Sequence, residues 1–548
     1  MREKPWLSSY EPGVRATLEI PNITLLEMFK QTVERFSEHP ALLFQGRSWS
    51  YRQMDEAVER MARALSYRGV KSGDRISIYM PNSALWVISF YACMRLGAVV
   101  VQTNPMYVES ELKAQLNDAG AIGIITIPPL LQRVLAIQGE TNLQLIAVDP
   151  LANLEIPISE KLLNLDALLN DSSLDRMDLP LPNIPADTEI AVLQYTGGTT
   201  GTSKGVVLTH RNLLANALQI KEWLQGEEGQ ERILTALPLF HIYSLSACMN
   251  LAMVSGGAMV ILSKFDIDVV LQHINDYAPT IFPGAPTMYV AIINHPRVKE
   301  YNVSSIKVCV SGSAPLPVEV ANRFGELTGG RLIEAYGLSE ASPATHLNPV
   351  DHARVGSIGV PGPNTDAKIV DLATGQKTLV PGEIGELAVS GDQVMREYWQ
   401  KPTETLAVLR DGWLYTGDIA RMDEDGFFYI VDRKKDMIIS GGYNVYPRDI
   451  EESLYEHSAV KEAVCAGIPD SYWGEFVKAY VVLKEDAQVT EAELLTFLKQ
   501  KLAAYKVPKK IEIRESLPRT AVGKVLRRFL IDEELQKTTH SDIAANQE

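Results

Sequence analysis

The sequence predicts an α/β protein with a large N-terminal domain of mostly parallel sheets flanked by helices, a small β-rich subdomain, and a small α+β C-terminal domain. Near-continuous apolar runs alternate with helix-like segments over most of the chain, which is typical of parallel strands buried on both faces. The length of 548 residues exceeds what a single hydrophobic core supports. Glycine and proline become frequent after about residue 351, where short alternating strands indicate the β-rich subdomain.

Capping boxes and hydrophobic runs place the elements along the chain. Thr24 with Glu27, and Ser50 with Gln53, each form a capping box that predicts the start of a helix. Strands are predicted from apolar runs at residues 75–80, 98–102, 122–127, 143–148, 258–262, 280–282 and 307–310, with a helix at 84–95, and further apolar runs lie at 190–193 and 206–208.

The C-terminal part has a pattern of its own. Strand-like segments at 463–468 and 478–483 precede a helix that Thr490 and Glu493 cap. We therefore predict an N-terminal domain of residues 1–432 with its β-rich subdomain at about 352–431, a charged linker at 433–435, and a C-terminal domain of residues 436–548.

Composition excludes several classes of protein. The formal net charge is −16, and so acidic a surface repels nucleic acid, so we expect no nucleic-acid partner. No basic segment followed by an apolar stretch opens the chain, and no apolar run reaches the about 20 residues of a membrane span, so we expect a cytoplasmic protein. The four cysteines lack metal-like spacing and are predicted to be buried in a reducing compartment.

The segment from Tyr195 to Gly205, YTGGTTGTSKG, is the strongest single signal for a ligand. Its glycines let backbone N–H groups approach an anion, its hydroxyls add short donors, and Lys204 supplies charge. The segment lacks the Gly-Lys-Ser/Thr ending of a Walker loop, so it indicates phosphate binding without requiring transfer of the γ-phosphoryl group. A flexible hairpin without a ligand is the alternative.

Further motifs follow in order, and together they resemble the acyl-adenylate-forming superfamily of acyl-CoA synthetases, beetle luciferases and peptide-synthetase adenylation domains. The overall resemblance is greatest to bacterial long-chain fatty acid–CoA ligases and covers nearly the whole chain. The matching motifs are LPLFH at 237–241, EAYGLSE at 334–340, DGWLYTGD at 411–418, DRKK at 432–435 and PRTAVGK at 518–524.

The resemblance implies an ATP site and four catalytic residues. Lys524, Lys204, His241 and Glu340 would be catalytic, and magnesium would be held by Thr199 and Glu340. The implied ATP-binding residues are Thr196, Gly197, Gly198, Thr199, Thr200, Gly201, Lys204, Gly312, Ser313, Ala314, Glu334, Ala335, Tyr336, Gly337, Ser339, Asp418, Arg433 and Lys524.

Five of these assignments have a structural alternative when the residues are taken alone. Lys524 also fits a solvated helix face, and small residues such as Gly312, Ser313 and Ala314 are common after any strand. Tyr336 would stack on adenine but also fits a core tyrosine, and Glu340 also fits a solvated glutamate at a helix start. Asp418 can accept both ribose hydroxyls with Arg433 as an added donor, but the two also fit a surface ion pair.

The resemblance also implies a second half-reaction with CoA. The C-terminal domain would be a mobile lid that rotates about a hinge at Lys435 after the acyl-AMP has formed. It would then present a CoA channel made of Ser440, Gly441, Gly442, Tyr443 and Asn444. ATP, magnesium and CoA are therefore the expected cofactors, with a fatty acid as substrate.

The acid itself is less sharply indicated. Amino-acid-selecting relatives carry an aspartate where this chain has His241, so a substrate without an α-amino group is expected. Ile242, Tyr243, Val310 and Ser313 are the predicted acyl pocket. A gating tryptophan described in some relatives is absent near His241, so chain length stays open, and a medium-chain or aryl acid is the alternative. Peripheral membrane contact and a homodimer are also left open.

Overall fold

The computed structural model describes residues 4–149, 162–165, 173–174, 177–182, 184–196, 203–434, 436–440, 443–470, 473–485, 487–519 and 525–545. The chain divides into two compact units. The first comprises Met1–Gly198, Thr202–Asp366 and Val389–Leu414, and the second comprises Thr199–Gly201, Ala367–Ala388 and Tyr415–Glu548.

The strands, in chain order, are β1 (Pro40–Phe44), β2 (Arg47–Ser50), β3 (Arg75–Tyr79), β4 (Val99–Gln102), β5 (Gly123–Thr126), β6 (Leu145–Val148), β7 (Leu162–Asn164), β8 (Ile190–Thr196), β9 (Lys204–Thr209), β10 (Arg232–Thr235), β11 (Ala258–Ile261), β12 (Ile281–Gly284), β13 (Val308–Ser311), β14 (Arg331–Gly337), β15 (Ala344–Leu347), β16 (Val360–Pro361), β17 (Thr365–Val370), β18 (Gly385–Gly391), β19 (Glu397–Tyr398), β20 (Leu409–Arg410), β21 (Trp413–Met422), β22 (Phe428–Arg433), β23 (Ile438–Ser440), β24 (Tyr443–Val445), β25 (Val460–Asp470), β26 (Gly474–Leu483) and β27 (Lys510–Arg514).

The α-helices are α1 (Leu25–Phe36), α2 (Tyr51–Tyr67), α3 (Ala84–Leu96), α4 (Glu109–Ala119), α5 (Pro128–Ile137), α6 (His210–Leu224), α7 (Ile242–Ser244), α8 (Leu251–Ser255), α9 (Ile267–Tyr277), α10 (Pro286–Ile293), α11 (Val318–Thr328), α12 (Pro402–Val408), α13 (Pro447–Tyr455), α14 (Glu491–Lys501) and α15 (Arg527–Ala545). A π-helical segment, Leu245–Asn250, joins α7 to α8.

A nine-stranded sheet of the first unit runs in the order β16-β15-β14-β13-β12-β10-β11-β1-β2. Its central strands are parallel, and antiparallel strands lie at both edges. Parallel strands end at the same edge, so β12, β13 and β14 bring Gly284, Ser311 and Glu334 into register. The segments that follow β12 and β13 therefore begin beside the last residues of β14, 335–337.

The first unit contains a second sheet of eight strands in the order β19-β9-β8-β4-β3-β5-β6-β7. Neighbouring strands pair in parallel along the series β8-β4-β3-β5-β6-β7. At the other end of the sheet, β9 pairs antiparallel with both β8 and β19. The predicted strands at 75–80, 98–102 and 122–127 are central members of this sheet. The predicted helix at 84–95 is α3, which is buried along almost its full length.

Two smaller sheets complete the description. The first is a five-stranded sheet in the order β17-β18-β21-β20, with β22 paired to β21. The C-terminal sheet, of the second unit, has the order β24-β23-β26-β25, with β27 paired to β26. Apolar residues of α13 and α14, including Ile450, Leu454, Leu494 and Leu498, pack on this sheet in one hydrophobic core.

These observations confirm the predicted fold class, and they also confirm the capping boxes at Thr24, Ser50 and Thr490. The sequence did not single out α4 or the π-helical segment. The boundary predicted at 433–435 stays a prediction; by internal contacts, Ala367–Ala388 and Tyr415 onward group with the C-terminal part. All four cysteines are buried and free, as predicted. Within the part of the chain that the structure describes, no helix is both long and apolar enough to cross a membrane.

Candidate active site

The predicted phosphate loop connects the two strands of an antiparallel hairpin. Thr196 ends β8 directly opposite Lys204, which begins β9, and the Ser203 hydroxyl donates to the Thr196 carbonyl oxygen at 2.6 Å. Gly197, Gly198, Thr199, Thr200 and Gly201 lie outside the described residues. The segment is therefore a hairpin connection in form, which is compatible both with phosphate binding and with the alternative weighed from the sequence.

The base of this hairpin is held by a set of contacts that the sequence did not indicate. The Tyr195 hydroxyl donates to Asp118 at 2.6 Å, and burial together with that carboxylate raises the pKa of Tyr195. The Trp399 backbone N–H donates to the Gly205 carbonyl at 2.7 Å, and its indole N–H donates to the Asp118 carbonyl at 3.1 Å. A Cβ on Gly205 would lie 3.1 Å from the Tyr195 ring, so a side chain there would crowd the ring.

Lys204 and Glu340, two of the predicted catalytic residues, meet on a third residue, Tyr398. The Lys204 ammonium lies over the Tyr398 ring, 5.1 Å from its centroid. The Tyr398 hydroxyl donates to Glu340 Oε1 at 2.7 Å. Burial, with Glu340 as a further cause, raises the pKa of Tyr398, so the phenol stays protonated and can donate. No local pattern marks residue 398, because its link to 204 and 340 arises only through the pairing of β19 with β9.

The adjacent ends of β13 and β14 bring together the predicted adenine-site residues. Gly312, Ser313 and Ala314 follow β13, while Glu334, Ala335, Tyr336 and Gly337 form the end of β14 and Ser339 begins a short 3-10 helix, Ser339–Ala341. Ser313 is exposed and has φ of 71°, a left-handed conformation at a non-glycine residue. The Glu334 carboxylate accepts the backbone N–H of Leu316 at 3.3 Å, which ties the two strand ends together.

Tyr336 is half-buried, unlike a core tyrosine. Its ring meets the edge of His346 with centroids 5.9 Å apart, and the two residues are opposite each other in the ladder of β14 and β15. Burial lowers the pKa of His346 to about 3, so this neighbour is neutral. Gly337 follows at a bulge, where a Cβ would lie 2.2 Å from the Pro343 carbonyl oxygen. Only glycine allows the backbone at residue 337 to come this close to the backbone at Pro343.

His241 is fixed by the residues that flank it. Its Nδ1 accepts the backbone N–H of Tyr243 at 3.2 Å, which places the ring proton of the neutral form on Nε2. The Asn82 side chain donates to the Leu237 carbonyl and accepts from the Leu239 N–H, at 2.8 and 2.7 Å. Gln194 donates to the Phe240 carbonyl at 3.2 Å. Asn82, which follows β3, and Gln194, in β8, thus hold the histidine segment against the eight-stranded sheet, and the sequence singled out neither.

The predicted acyl pocket is mostly buried. Ile242, Tyr243 and Val310 have exposed fractions of 1%, 9% and 4%, whereas Ser313 is exposed. The Tyr243 hydroxyl donates to the Val310 carbonyl at 2.5 Å, and a Cβ on Gly312 would lie 3.0 Å from the Tyr243 ring. Tyr243, Val310 and Gly312 are therefore neighbours, which joins the apolar part of the site to the adenine part.

In the second unit, Asp418 and Arg433 are cross-strand partners in β21 and β22. The Arg433 Nε lies 3.4 Å from Asp418 Oδ1, and only 8% of Asp418 is exposed. The two thus form an ion pair, as in the alternative considered from the sequence, in which the carboxylate is buried and the guanidinium is partly exposed. Nearby, Lys434 pairs with Glu386 at 2.9 Å.

The predicted hinge, CoA-channel and lysine segments are described in part. Ser440 is buried and pairs in the ladder with Tyr443, and Asn444 lies beside Tyr443 in β24. Lys435, Gly441, Gly442 and Lys524 lie outside the described residues.

Arg527, three positions after Lys524, was not singled out from the sequence. Its guanidinium donates to Asp436 at 2.9 Å and to Glu451 at 2.7 Å. The helix that follows the lysine motif is therefore tied to the residue that follows the predicted hinge.

Glu340 fits a magnesium ion. Mg²⁺ is usually bound by one or two carboxylates together with substrate phosphates, through hard oxygen ligands. The hydrogen bond from Tyr398 fixes the carboxylate through Oε1 and so orients Oε2, and Lys204 lies over the face of the same ring. Thr199, the second predicted ligand, lies outside the described residues.

Comparison with known proteins places this arrangement in a family. The model of the AMP-binding enzyme family matches residues 29–399, and the model of the AMP-binding enzyme C-terminal domain matches residues 449–524. The long-chain-fatty-acid–CoA ligase of Bacillus subtilis is 45% identical over 553 residues, covering 97% of this chain and 99% of that protein. A feruloyl-CoA synthase of an Amycolatopsis species is 36% identical over 497 residues, covering 90% and 96%.

The likeness extends to three dimensions. The crystal structure of ATP-bound MatB from Rhodopseudomonas palustris matches with a TM-score of 0.84 and 29% identity, covering 93% of this chain and 99% of that one. These findings confirm the resemblance that the motifs indicated. The chain belongs to the AMP-binding enzyme family, the acyl-adenylate-forming enzymes.

Proposed function

We propose that this protein is a long-chain fatty acid–CoA ligase. It joins a fatty acid to ATP to form an acyl-AMP and pyrophosphate, and then transfers the acyl group to CoA, which releases AMP. The assignment of a long-chain fatty acid as the substrate rests on the near-full-length similarity to a long-chain-fatty-acid–CoA ligase. The cluster of Lys204, Tyr398 and Glu340 at the mouth of the hairpin supports the use of ATP.

The first half-reaction joins two anions, the carboxylate of the acid and the triphosphate. Attack of a carboxylate oxygen on the α-phosphorus forms the acyl phosphate bond and breaks the bond to the β-phosphate, with pyrophosphate as the leaving group. Cationic and N–H groups already in place lower the barrier, because no solvent has to reorganise around the developing charge. Lys204 and the hairpin loop bind the leaving pyrophosphate. Glu340 and Thr199 would hold a magnesium ion, which would supply positive charge to the phosphates.

The adenosine is held by its base and sugar. Tyr336 packs its ring against adenine, with Gly312, Ser313 and Ala314 along the base, and Asp418 accepts the ribose hydroxyls beside Arg433. The half-burial of Tyr336 and the burial of Asp418 support these roles, because neighbouring residues restrict the position of each side chain.

Lys524 supplies the charge that bridges the carboxylate and the α-phosphate. After acyl-AMP forms, the C-terminal domain turns about Lys435 and withdraws Lys524, and the segment from Ser440 to Asn444 lines the path of CoA. The CoA thiolate attacks the acyl carbon and AMP leaves. His241, with Nδ1 engaged by the Tyr243 N–H, presents Nε2 to the acyl site, where Ile242, Tyr243 and Val310 form the apolar wall.

Two less specific properties are also proposed. Peripheral contact with a membrane would give access to long-chain acids that partition into lipid, and the acidic net charge favours neutral over anionic lipid. A homodimer is proposed from the resemblance alone.

Pyrophosphate release across straight-chain acids from C4 to C18, measured with and without CoA, tests the proposed function. The expected profile peaks at long chains and yields acyl-CoA and AMP in equal amounts. Benzoate and ferulate serve as comparison substrates, since the feruloyl-CoA synthase makes an aryl acid the second candidate. A maximum at an aryl or medium-chain acid would replace the long-chain assignment, and no release with any acid would refute the ligase.

A further inference from the structure

Tyr398 occupies a position that neither the motifs nor the proposed roles account for. It ends the two-residue strand β19, which pairs with β9 so that Tyr398 lies opposite Val206. Lys204 is two residues from Val206 and so points to the same face of β9. Diagonal neighbours across an antiparallel pair are within reach of an aromatic side chain, which explains why the Lys204 ammonium lies 5.1 Å from the ring centroid.

The same short segment also holds Glu340. The Met395 backbone N–H donates to the Glu340 carbonyl at 2.7 Å, and the Tyr398 hydroxyl donates to the Glu340 side chain at the same distance. The Trp399 N–H donates to the Gly205 carbonyl at 2.7 Å. Residues 395–399 thus join the hairpin of the phosphate loop to Glu340, the residue proposed to hold magnesium. The hairpin belongs to the eight-stranded sheet, whereas Glu340 follows β14 of the nine-stranded sheet.

The chemistry of the two contacts is the reason to assign a role. A lysine over an aromatic face is held in place with no counter-charge beside it, whereas the positive field of a lysine paired with a carboxylate would be largely cancelled by its partner. A carboxylate that accepts one hydrogen bond through Oε1 is oriented and keeps lone pairs on Oε2 for a metal. One tyrosine therefore contacts the cation by its ring and the anion by its hydroxyl, and keeps the two from pairing with each other.

We propose that Tyr398 is a positioning residue that holds Lys204 and Glu340 apart and pre-oriented for the magnesium–triphosphate group. The proposal rests on the proposed function, because it takes the roles of Lys204 and Glu340 from there. Tyr398 touches neither the reacting atoms nor the acid. Its effect is on the binding of the phosphates and of the metal that accompanies them.

Two substitutions separate the hydroxyl from the ring. Tyr398→Phe removes the hydrogen bond to Glu340 and keeps the ring beneath Lys204, whereas Tyr398→Leu removes both contacts. Tyr10→Phe is the matched control: the Tyr10 hydroxyl donates to the Pro361 carbonyl at 2.7 Å in the same unit, and neither residue is among the proposed site residues. Calorimetric binding needs no turnover, so it reports on positioning without relying on activity.

Binding of ATP is titrated at increasing magnesium without acid or CoA, and binding of pyrophosphate is measured without magnesium. Tyr398→Phe is expected to raise the magnesium concentration for half-maximal ATP binding by about tenfold, the loss typical of a hydrogen bond to a charged group, with pyrophosphate binding unchanged. Tyr398→Leu is expected to weaken both. Affinity for AMP, which lacks the β- and γ-phosphates, should stay within about twofold in both variants, as should every constant of Tyr10→Phe.

The outcomes distinguish this proposal from the proposed function. If the wild type releases pyrophosphate but both Tyr398 variants bind magnesium and pyrophosphate as it does, Tyr398 has no positioning role and the ligase assignment stands. Loss of AMP, pyrophosphate and magnesium binding by the same factor in Tyr398→Phe would mean a structural role only and would also overturn the proposal. If Tyr398→Leu does not fold, Tyr398→Phe alone tests the proposal. In that variant the magnesium requirement for ATP binding must rise while the affinity for pyrophosphate stays unchanged.

Discussion

Replacing Gly337 by alanine should displace the proposed adenine site by a defined amount. In the present geometry the added Cβ would lie 2.2 Å from the Pro343 carbonyl oxygen and 2.6 Å from its carbonyl carbon. Ordinary contacts of a Cβ begin near 3.4 Å, so the end of β14 and the chain at Pro343 must separate by about 1.2 Å. Both partners are backbone, so no rotamer change can relieve the overlap.

The displacement falls on Tyr336, which immediately precedes Gly337 and is proposed to pack on adenine. A misplacement of about 1 Å in a reacting complex costs roughly 10²-fold in rate, or about 2.7 kcal/mol of transition-state stabilisation. We therefore expect Gly337→Ala to lower kcat/KM for ATP-dependent pyrophosphate release by roughly 10²-fold and to weaken AMP binding in parallel.

Gly139→Ala is the control, because Gly139 has no heavy atom within 4 Å of an added Cβ and lies outside the site. It should match the wild type in both measurements. Pyrophosphate release at saturating fatty acid and calorimetric AMP binding are the assays. If Gly337→Ala keeps a kcat/KM within about twofold of wild type while it folds normally, the close approach at Pro343 does not position Tyr336, and the steric reasoning fails.

Two further substitutions test the catalytic lysine and the C-terminal unit. Lys524→Ala should abolish acyl-AMP formation yet leave CoA able to consume supplied acyl-AMP; acyl-AMP formed at the wild-type rate would contradict the role given to Lys524. Lys478 is buried between Glu512 and Glu534, at 2.6 and 2.8 Å. Changing it to methionine should cost about 3 kcal/mol of unfolding free energy at pH 7, the lower end for a broken buried ion pair, because both carboxylates lose their buried cation while Glu512 keeps Arg514 at 2.7 Å. Burial by itself would raise the pKa of Glu512, but Lys478 and Arg514 together lower it below its ordinary value. The stabilisation from this carboxylate is therefore present above the ordinary glutamate pKa and is lost as the pH falls through the lowered pKa. Urea unfolding should show the deficit of Lys478→Met shrinking below about pH 4, and an equal deficit at pH 7 and pH 3.5 would argue against the charge explanation.

The sequence predicted the local features well. The capping boxes at Thr24, Ser50 and Thr490 were confirmed because a cap involves residues only three positions apart. The alternation of apolar runs and helices was sufficient for the α/β class, since burial of a parallel strand on both faces shows in consecutive residues. The family could likewise be recognised from motifs, each of which is a short contiguous segment.

The structure alone revealed how the proposed site is held together. The Tyr398 hydroxyl reaches Glu340 across 58 positions of sequence, and the Tyr195 hydroxyl reaches Asp118 across 77. Gln194 similarly meets the segment before His241 across 46 positions. None of these partners shares a local pattern.

The physical reason for this division is the range of the interactions involved. Turn chemistry, capping and hydrophobic periodicity depend on residues within a few positions, so the sequence by itself determined the fold class and the family, and it marked the glycine- and threonine-rich segment between Tyr195 and Gly205. Strand register depends on which distant strands pair, and one pairing, of β19 with β9, places Tyr398 between Lys204 and Glu340. Only the tertiary structure could decide that contact, because nothing near residue 398 specifies its partner.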